Sequence, residues 1–128
     1  MNTGIEAIEK ANLIAKAALD KKAEDIVIMD MRVVSNIADY FVICNASSTR
    51  RVEAISRGIE DALRKEGIKH WHIEGRLEAL WVLMDYGDIL VHVFHDKVRQ
   101  FYDLERLWRD APKERFSALC TSQKFKKP

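Results

Sequence analysis

The sequence of 128 residues has few of the residues that interrupt or cross-link a chain. It contains two prolines, five glycines and two cysteines, which excludes collagen-like, low-complexity and disulfide-rich proteins. The cysteines, Cys44 and Cys120, match no metal-ligand spacing, and a reducing compartment is the simplest inference. No stretch approaches the roughly 18 apolar residues that a membrane span requires, and the start has no basic, apolar leader. These absences predict a soluble cytoplasmic protein.

Charge is unevenly distributed along the chain. The net charge is +1, but residues 109–128 carry +4 and residues 1–108 therefore carry −3. With 48% hydrophobic residues, residues 1–108 can form one domain with a real core. We predict that residues 109–128 are a mobile basic tail. The acidic body favours a basic partner; the alternative is that the tail only solubilises the end of the chain.

The most informative stretch runs from Trp81 to Trp108. Its residues alternate as two apolar strands around a tight turn at Tyr86-Gly87, where Gly87 can adopt a positive φ without steric cost. Both faces of both strands are largely apolar, so we expect the centre of a sheet that is covered on at least part of each side. A short aromatic helix should follow, ending at Trp108.

The remaining chain supplies further elements of an α/β fold. We predict a helix from a capping box at Thr3 to about Asp20, strands at Asp25–Asp30 and Tyr40–Cys44, a helix from the loop Asn45–Arg51 to about Glu66, and a strand in which Trp71 and Ile73 face the core. The second helix should present an apolar stripe on one face, formed by Val52, Ile55, Ile59, Ala62 and Leu63. Pro112 is expected to end regular structure. A strand–helix–strand unit over residues 40–74 favours a parallel pair, whereas the turn at Gly87 requires an antiparallel one. The prediction is a single domain with a five-stranded mixed sheet covered by helices.

Two features allow an enzymatic interpretation. Asp85 and Asp88, with His92 and His95, could hold a divalent cation; the alternative is that both carboxylates only bond local N–H groups of the turn. The loop Asn45–Arg51 faintly resembles the phosphate-binding turn of a nucleotidyltransferase, and the alternative there is an N-capped helix with exposed arginines. No Asp-x-Asp pair accompanies the loop. A metal-dependent nucleotidyltransferase-like enzyme is therefore the alternative function, and we expect no catalytic residue, metal or cofactor.

Aromatic residues with acids beside them indicate a protein-binding surface. Trp81, Tyr86, Tyr102 and Trp108 lie close in sequence to several carboxylates, the arrangement of aromatic anchors rimmed by charge. The alternative is that most of these aromatic side chains belong to the core. The case for this alternative is stronger for Trp108 than for Trp81 or for Tyr86 at the turn tip. No basic run is interleaved with aromatics, so direct nucleic-acid recognition is not expected.

A combination of motifs from about Ile5 to Trp108 resembles the Iojap family, the ribosomal silencing factors (RsfS). The matching segments are Ala38–Cys44, Ser48 and Arg50, Glu74-Gly75, Trp81-x-x-x-Asp85-x-Gly87-Asp88, Val91-His92-x-Phe94 and Phe101-Tyr102-x-Leu104-Glu105-x-Leu107-Trp108. The chain departs from the family at Asn45-Ala46, where Ser or Thr followed by Gly or Ala is usual. The resemblance implies a nucleotidyltransferase-like topology without its active site.

The resemblance also implies a function. Family members bind the large ribosomal subunit through ribosomal protein fourteen (uL14) and block joining of the small subunit, and organelle relatives aid large-subunit assembly. The partner-binding residues carried over to this chain are Trp81, Asp85, Tyr86, Asp88, His92, Phe94, Tyr102, Leu104, Glu105 and Trp108. Trp81 and Tyr86 would be apolar anchors, while Asp85 and Asp88 would meet lysines or arginines. We also expect a homodimer of the free protein.

Overall fold

The computed structural model describes residues 6–116. Its helices are Ala7–Asp20 (α1), Thr49–Lys65 (α2), Asp96–Tyr102 (α3) and Leu104–Leu107 (α4). Its strands are Glu24–Asp30 (β1), Tyr40–Ala46 (β2), His72–Glu74 (β3), Trp81–Asp85 (β4), Ile89–His95 (β5) and Lys113–Arg115 (β6). The strands form one sheet in the order β3-β4-β5-β2-β1-β6, so the α/β class is confirmed. None of the helices in this part of the chain is long and apolar enough to cross a membrane.

The sixth strand corrects two predictions, the count of five strands and the end of regular structure at Pro112. β6 follows Pro112 directly and pairs antiparallel with β1, and the Pro112 carbonyl accepts a hydrogen bond of 2.8 Å from the Asp30 N–H. Lys113, Glu114 and Arg115 show no apolar alternation, because an edge strand is held through backbone groups and needs no buried side chains. The predicted mobile tail, residues 109–128, is wrong for its first part, because residues 113–115 pair with β1 and Ala111 and Phe116 are buried. Residues 117–128 lie outside the described residues, so their part of the tail stays a prediction, as does the nucleotidyltransferase-like topology.

A second correction concerns the parallel pair. The sequence pattern predicted that β2 and β3 form the parallel pair. Instead, β2 is parallel to β5, and β3 is antiparallel to β4 at the edge of the sheet. β5 takes the central place because most of its residues are buried, while the three residues of β3 are exposed or half-buried. The predicted hairpin of β4 and β5 is confirmed. Its turn closes with a Tyr86 N–H to Ile89 carbonyl hydrogen bond of 2.9 Å, and Gly87 has φ +90°.

Helices α1 and α2 cover one face of the sheet. The predicted apolar stripe of α2 is confirmed, because Val52, Ile55, Ile59 and Leu63 are all fully buried. The predicted cap residue Thr3 lies outside the described residues; within them, the Glu6 N–H donates to the Glu9 carboxylate at the start of α1. This face contains the larger of two hydrophobic clusters.

The opposite face is covered over only part of its width. A smaller cluster fills it under α3, α4 and the connection to β6. Its buried members are Val27, Met29, Met31, Ala38, Phe41, Ile43, Phe94 and Ala111. Trp71, predicted to face the core, is 75% exposed. The strand begins one residue later, and the Trp71 ring lies beside Gly87 at the edge of the sheet.

Candidate partner-binding surface

The partly covered face is built from the alternating residues of β4 and β5. In the antiparallel register, Trp81 lies opposite Phe94, Leu83 opposite His92, and Asp85 opposite Leu90. Directly opposed residues project to the same face of a sheet, so all six side chains share this face. On β4 the three are half-buried, whereas His92 and Phe94 on β5 are buried. The face therefore becomes more open from the sheet centre toward the β3 edge.

Tyr102 extends this open region from the end of α3. Its ring centroid lies 4.9 Å from that of Trp81, and the Trp81 ring lies equally close, 4.9 Å, to Phe94 beneath it. Tyr102 is 52% exposed, while Leu83 and Leu90 are half-buried beside the tryptophan. We call Trp81, Leu83, Leu90 and Tyr102 the Trp81 surface. It is a partly exposed apolar area resting on a packed aromatic layer, the construction of a protein-binding surface.

His92 supports the Trp81 surface from below. The indole Nε1 of Trp81 donates a 3.2 Å hydrogen bond to Nδ1 of His92, and the Phe41 ring centroid lies 4.8 Å from the imidazole. Burial lowers the pKa of His92 to about 4, so the ring is neutral at pH 7. Because Nδ1 accepts the hydrogen bond from Trp81, the ring proton lies on Nε2. His92 and Phe94 thus lie beneath the Trp81 surface and would affect a partner only by supporting Trp81.

Tyr86 is not the exposed anchor that its place at the turn suggested. It is 4% exposed, its ring is edge-on to His70, and its hydroxyl has no hydrogen-bond partner within residues 6–116. The reason is strand alternation. Val82, Met84 and Tyr86 project to the face that α2 covers, opposite to Trp81 and Leu83. Burial also raises the pKa of the Tyr86 hydroxyl.

The two turn carboxylates have partners inside the chain. Asp85 accepts a 2.7 Å hydrogen bond from the Gly87 N–H, and Asp88 forms a 2.8 Å ion pair with Lys10 of α1. The turn-chemistry alternative is therefore correct for Asp85. Across residues 6–116, no three His, Cys, Asp or Glu side chains come together as ligands for a metal ion. The metal hypothesis for Asp85 and Asp88 thus gains no support from the geometry.

The residues carried over from the α3–α4 segment have different roles. Leu104 and Trp108 are half-buried against the smaller cluster, with the Trp108 ring edge-on to Phe41 at 6.3 Å. Glu105 forms a partly buried ion pair with Arg99. Exposed apolar side chains next to Tyr102 and in α4, Phe101 and Leu107, were not among the predicted contacts. Neither were Leu83 and Leu90, although the two-residue period of β4 and β5 places them with Trp81.

The loop before α2 forms an N-cap. Ser48 accepts a 3.2 Å hydrogen bond from the Arg51 N–H, and Arg50 and Arg51 are exposed. The N-capped helix, proposed as the alternative to a phosphate-binding turn, is therefore confirmed. Asn45, just before this loop, is buried and bonds with Asp96 and Arg99.

Comparison with known proteins identifies relatives across most of the chain. The family model described as "Ribosomal silencing factor during starvation" matches residues 5–128, which extends past Trp108, where the predicted likeness stopped. The ribosomal silencing factor RsfS of Bacillus subtilis (strain 168) is 50% identical over 100 residues, covering 78% of this chain and 85% of that protein. The chloroplastic protein Iojap of Zea mays is 33% identical over 106 residues, covering 83% of this chain but 46% of the plant protein.

Solved structures agree with the sequence relatives. A crystal structure of a protein from Chromobacterium violaceum matches with a TM-score of 0.81 at 28% identity, covering 95% of this chain and all of that one. A second, from Bacillus halodurans, matches with a TM-score of 0.72 at 39% identity, covering 81% of this chain and 94% of the other. The predicted resemblance is confirmed, and the chain belongs to the ribosomal silencing factor (RsfS) family.

Proposed function

We propose that this protein represses translation by binding the large ribosomal subunit through ribosomal protein uL14, so that the small subunit cannot join. Membership of the silencing-factor family supports the repressor role. The observation that carries the binding mode is the Trp81 surface, an apolar area left open on one half of a sheet whose other face is covered by α1 and α2. The mechanism is occupation of space, which requires no catalytic group.

Exposure and packing support a particular set of contacts. Trp81 and Tyr102 are aromatic, partly exposed and packed against each other, so they can bury more area against a partner without reordering. Leu83 and Leu90 would extend the apolar contact. Asp85, half-buried on the same face, would place a carboxylate near a lysine or arginine of a basic ribosomal protein.

Cosedimentation with purified large subunits tests this proposal. We expect Trp81→Ala and Tyr102→Ala each to weaken binding by at least about tenfold, the loss typical of an interface hot spot. Trp71→Ala is the matched control, because Trp71 is also exposed but lies outside the Trp81 surface. Circular dichroism would confirm that each variant is folded. Normal sedimentation of folded Trp81→Ala and Tyr102→Ala would contradict the proposed surface.

Subunit joining gives a separate test of the mechanism. When small subunits are added to large subunits saturated with this protein, we expect few joined ribosomes on a sucrose gradient. Trp81→Ala should restore joining in the same preparation. If the wild-type protein remains bound to joined ribosomes, steric exclusion is wrong even though binding is real.

Self-association remains a related proposal. The open apolar face could pair with a second copy of the chain, so a homodimer of the free protein would compete with binding to the subunit. Sedimentation equilibrium over a wide concentration range should show a reversible monomer–dimer transition. A monomer mass at every concentration would rule this out.

A further inference from the structure

A single guanidinium joins the segment that carries Tyr102 to the end of the sheet. Arg99, near the end of α3, grips the Glu105 carboxylate with two hydrogen bonds, Nε to Oε1 at 3.1 Å and Nη2 to Oε2 at 3.0 Å. Paired, parallel bonds of this kind fix orientation as well as distance. They connect α3 to α4 across Asp103, which has a positive φ of +49°. The ion pair therefore holds the bend between the two short helices.

The same guanidinium also reaches the sheet. Its Nη1 donates hydrogen bonds of 2.6 Å to the Asp25 carbonyl on β1 and of 2.6 Å to the Asn45 side-chain oxygen on β2. The Asn45 amide in turn donates to the Asp96 carboxylate at the start of α3, also at 2.6 Å. α3 is thus tied to Asn45, near the carboxyl end of β2, through its first residue and through its fourth.

The two helices have little else to hold them. α3 has seven residues and α4 has four, and neither contains a buried residue. Helices this short are unstable without tertiary contacts. Val98, Leu104 and Trp108 pack only partly against the smaller cluster. The polar connections through Arg99 are therefore a large part of what fixes the position of Tyr102 over Trp81.

A neighbouring ion pair shows why Arg99 differs from an ordinary surface arginine. Arg115 also contacts Asp25, through a 2.9 Å ion pair, but its side chain is 70% exposed and that of Asp25 is 61% exposed. The Arg99 and Glu105 side chains are 11% and 28% exposed. Exposed pairs contribute little, whereas a shielded, multiply bonded pair is costly to break.

We propose that Arg99 is a positioning residue for the Trp81 surface, holding α3 and α4 so that the Tyr102 ring stays packed against Trp81. The inference rests on the proposed function for its binding consequence. Because the Arg99 side chain is only 11% exposed, we expect it to act through Tyr102 and not as a contact itself. Lysine at this position would keep the charge, but its three donors on one nitrogen cannot replace the four hydrogen bonds of Arg99 or the paired, planar contact with Glu105.

The test compares Arg99→Lys with Arg115→Lys, the same change at the exposed neighbouring pair. Hydrogen exchange should become faster in residues 97–108 of Arg99→Lys, with β2 and β5 amides unchanged and with no such effect in Arg115→Lys. Glu105→Gln, which weakens the same grip from its other side, should reproduce this pattern. Unchanged exchange in residues 97–108 of both Arg99→Lys and Glu105→Gln would overturn the proposal.

A double-mutant cycle separates positioning from general loss of stability. Binding to large subunits should fall at least about fivefold in Arg99→Lys, and adding Arg99→Lys to Tyr102→Ala should cause little further loss. Losses that simply multiply would show that Arg99 does not act through Tyr102 and would overturn the proposal. If Tyr102→Ala binds normally, the proposed surface fails, and the exchange experiment alone then decides whether Arg99 holds the segment.

Discussion

The indole Nε1 of Trp81 donates a hydrogen bond to Nδ1 of His92, across the strands β4 and β5. The bond requires a neutral imidazole, because a protonated ring has no acceptor on Nδ1. One polar contact inside an aromatic layer therefore orients the tryptophan that we propose as the main anchor. The protonation state of His92 is coupled to the packing of the surface above it.

His92 should make stability depend on pH. Its pKa is about 4 in the folded protein and about 6.5 when exposed, so the unfolded chain binds more protons between these values. The free energy of unfolding should therefore fall as the pH drops from about 6.5 to about 4, by up to about 3 kcal/mol. Urea unfolding at several pH values measures this fall in the free energy of unfolding.

The control for this pH dependence is His92→Gln, whose free energy of unfolding should change less over the same pH range. Asp30 acts in a different range, because its hydrogen bonds with Arg32 lower its pKa below 3.8 and stability due to that pair is lost only in stronger acid. An equally steep slope between pH 6.5 and 4 in His92→Gln would assign the effect to other groups.

Tyr86→Phe should leave stability unchanged or increase it by up to about 1 kcal/mol, because it removes a buried hydroxyl that has no partner among the described residues. The ring contact with His70 would remain. Binding to large subunits should also be unchanged, unlike in Trp81→Ala. A large loss of stability in urea unfolding would mean that the hydroxyl has a partner in solution.

Gly75→Ala and Gly58→Ala should differ sharply. Gly75 has φ +88°, and a Cβ there would overlap the Trp81 carbonyl, so we expect a loss of more than about 2 kcal/mol. Gly58 lies inside α2, and the atoms nearest to a Cβ there belong to the Lys21 side chain, with Cγ at 2.6 Å, so this exposed side chain must change its rotamer. Gly58→Ala should be neutral or stabilising by up to about 1 kcal/mol. Thermal unfolding of both variants would measure the difference.

Lys10 and Asp88 should show coupled effects on stability. Their ion pair joins α1 to the β4–β5 turn, and the Lys10 side chain is largely shielded. Lys10→Met and Asp88→Asn should each cost about 1 kcal/mol, and the double variant should cost less than their sum. Additive losses would show that the pair contributes nothing.

The same pair changes how Asp88 is tested as a partner contact. Asp88→Lys would place two positive charges together at Lys10, so lost binding in that variant could follow from a displaced turn. Asp88→Asn made on the Lys10→Met background avoids this effect. If that double variant binds as well as Lys10→Met alone, Asp88 is a structural residue and not a contact.

Local patterns predicted the hairpin, the N-capped α2 and its apolar stripe correctly, because a turn glycine, a capping serine and a helical period act over a few residues. The same patterns were wrong for β6 and Trp71. β6 is held by backbone pairing with β1, which leaves no signal in side chains, and Trp71 precedes the strand to which its alternation assigned it. Strand alternation also places Tyr86 on the buried side with Val82 and Met84, although its position at a turn suggested exposure.

The sequence by itself determined the α/β class, the family and the stretch of chain that carries the candidate surface. Only the tertiary structure decided which side of the β4–β5 hairpin stays open, and that Asp88 pairs with Lys10 and Asn45 with Arg99. The physical reason is distance along the chain. Lys10 and Asp88 are 78 residues apart and Arg99 and Asn45 are 54 apart, so their contacts exist only once helices and strands have packed.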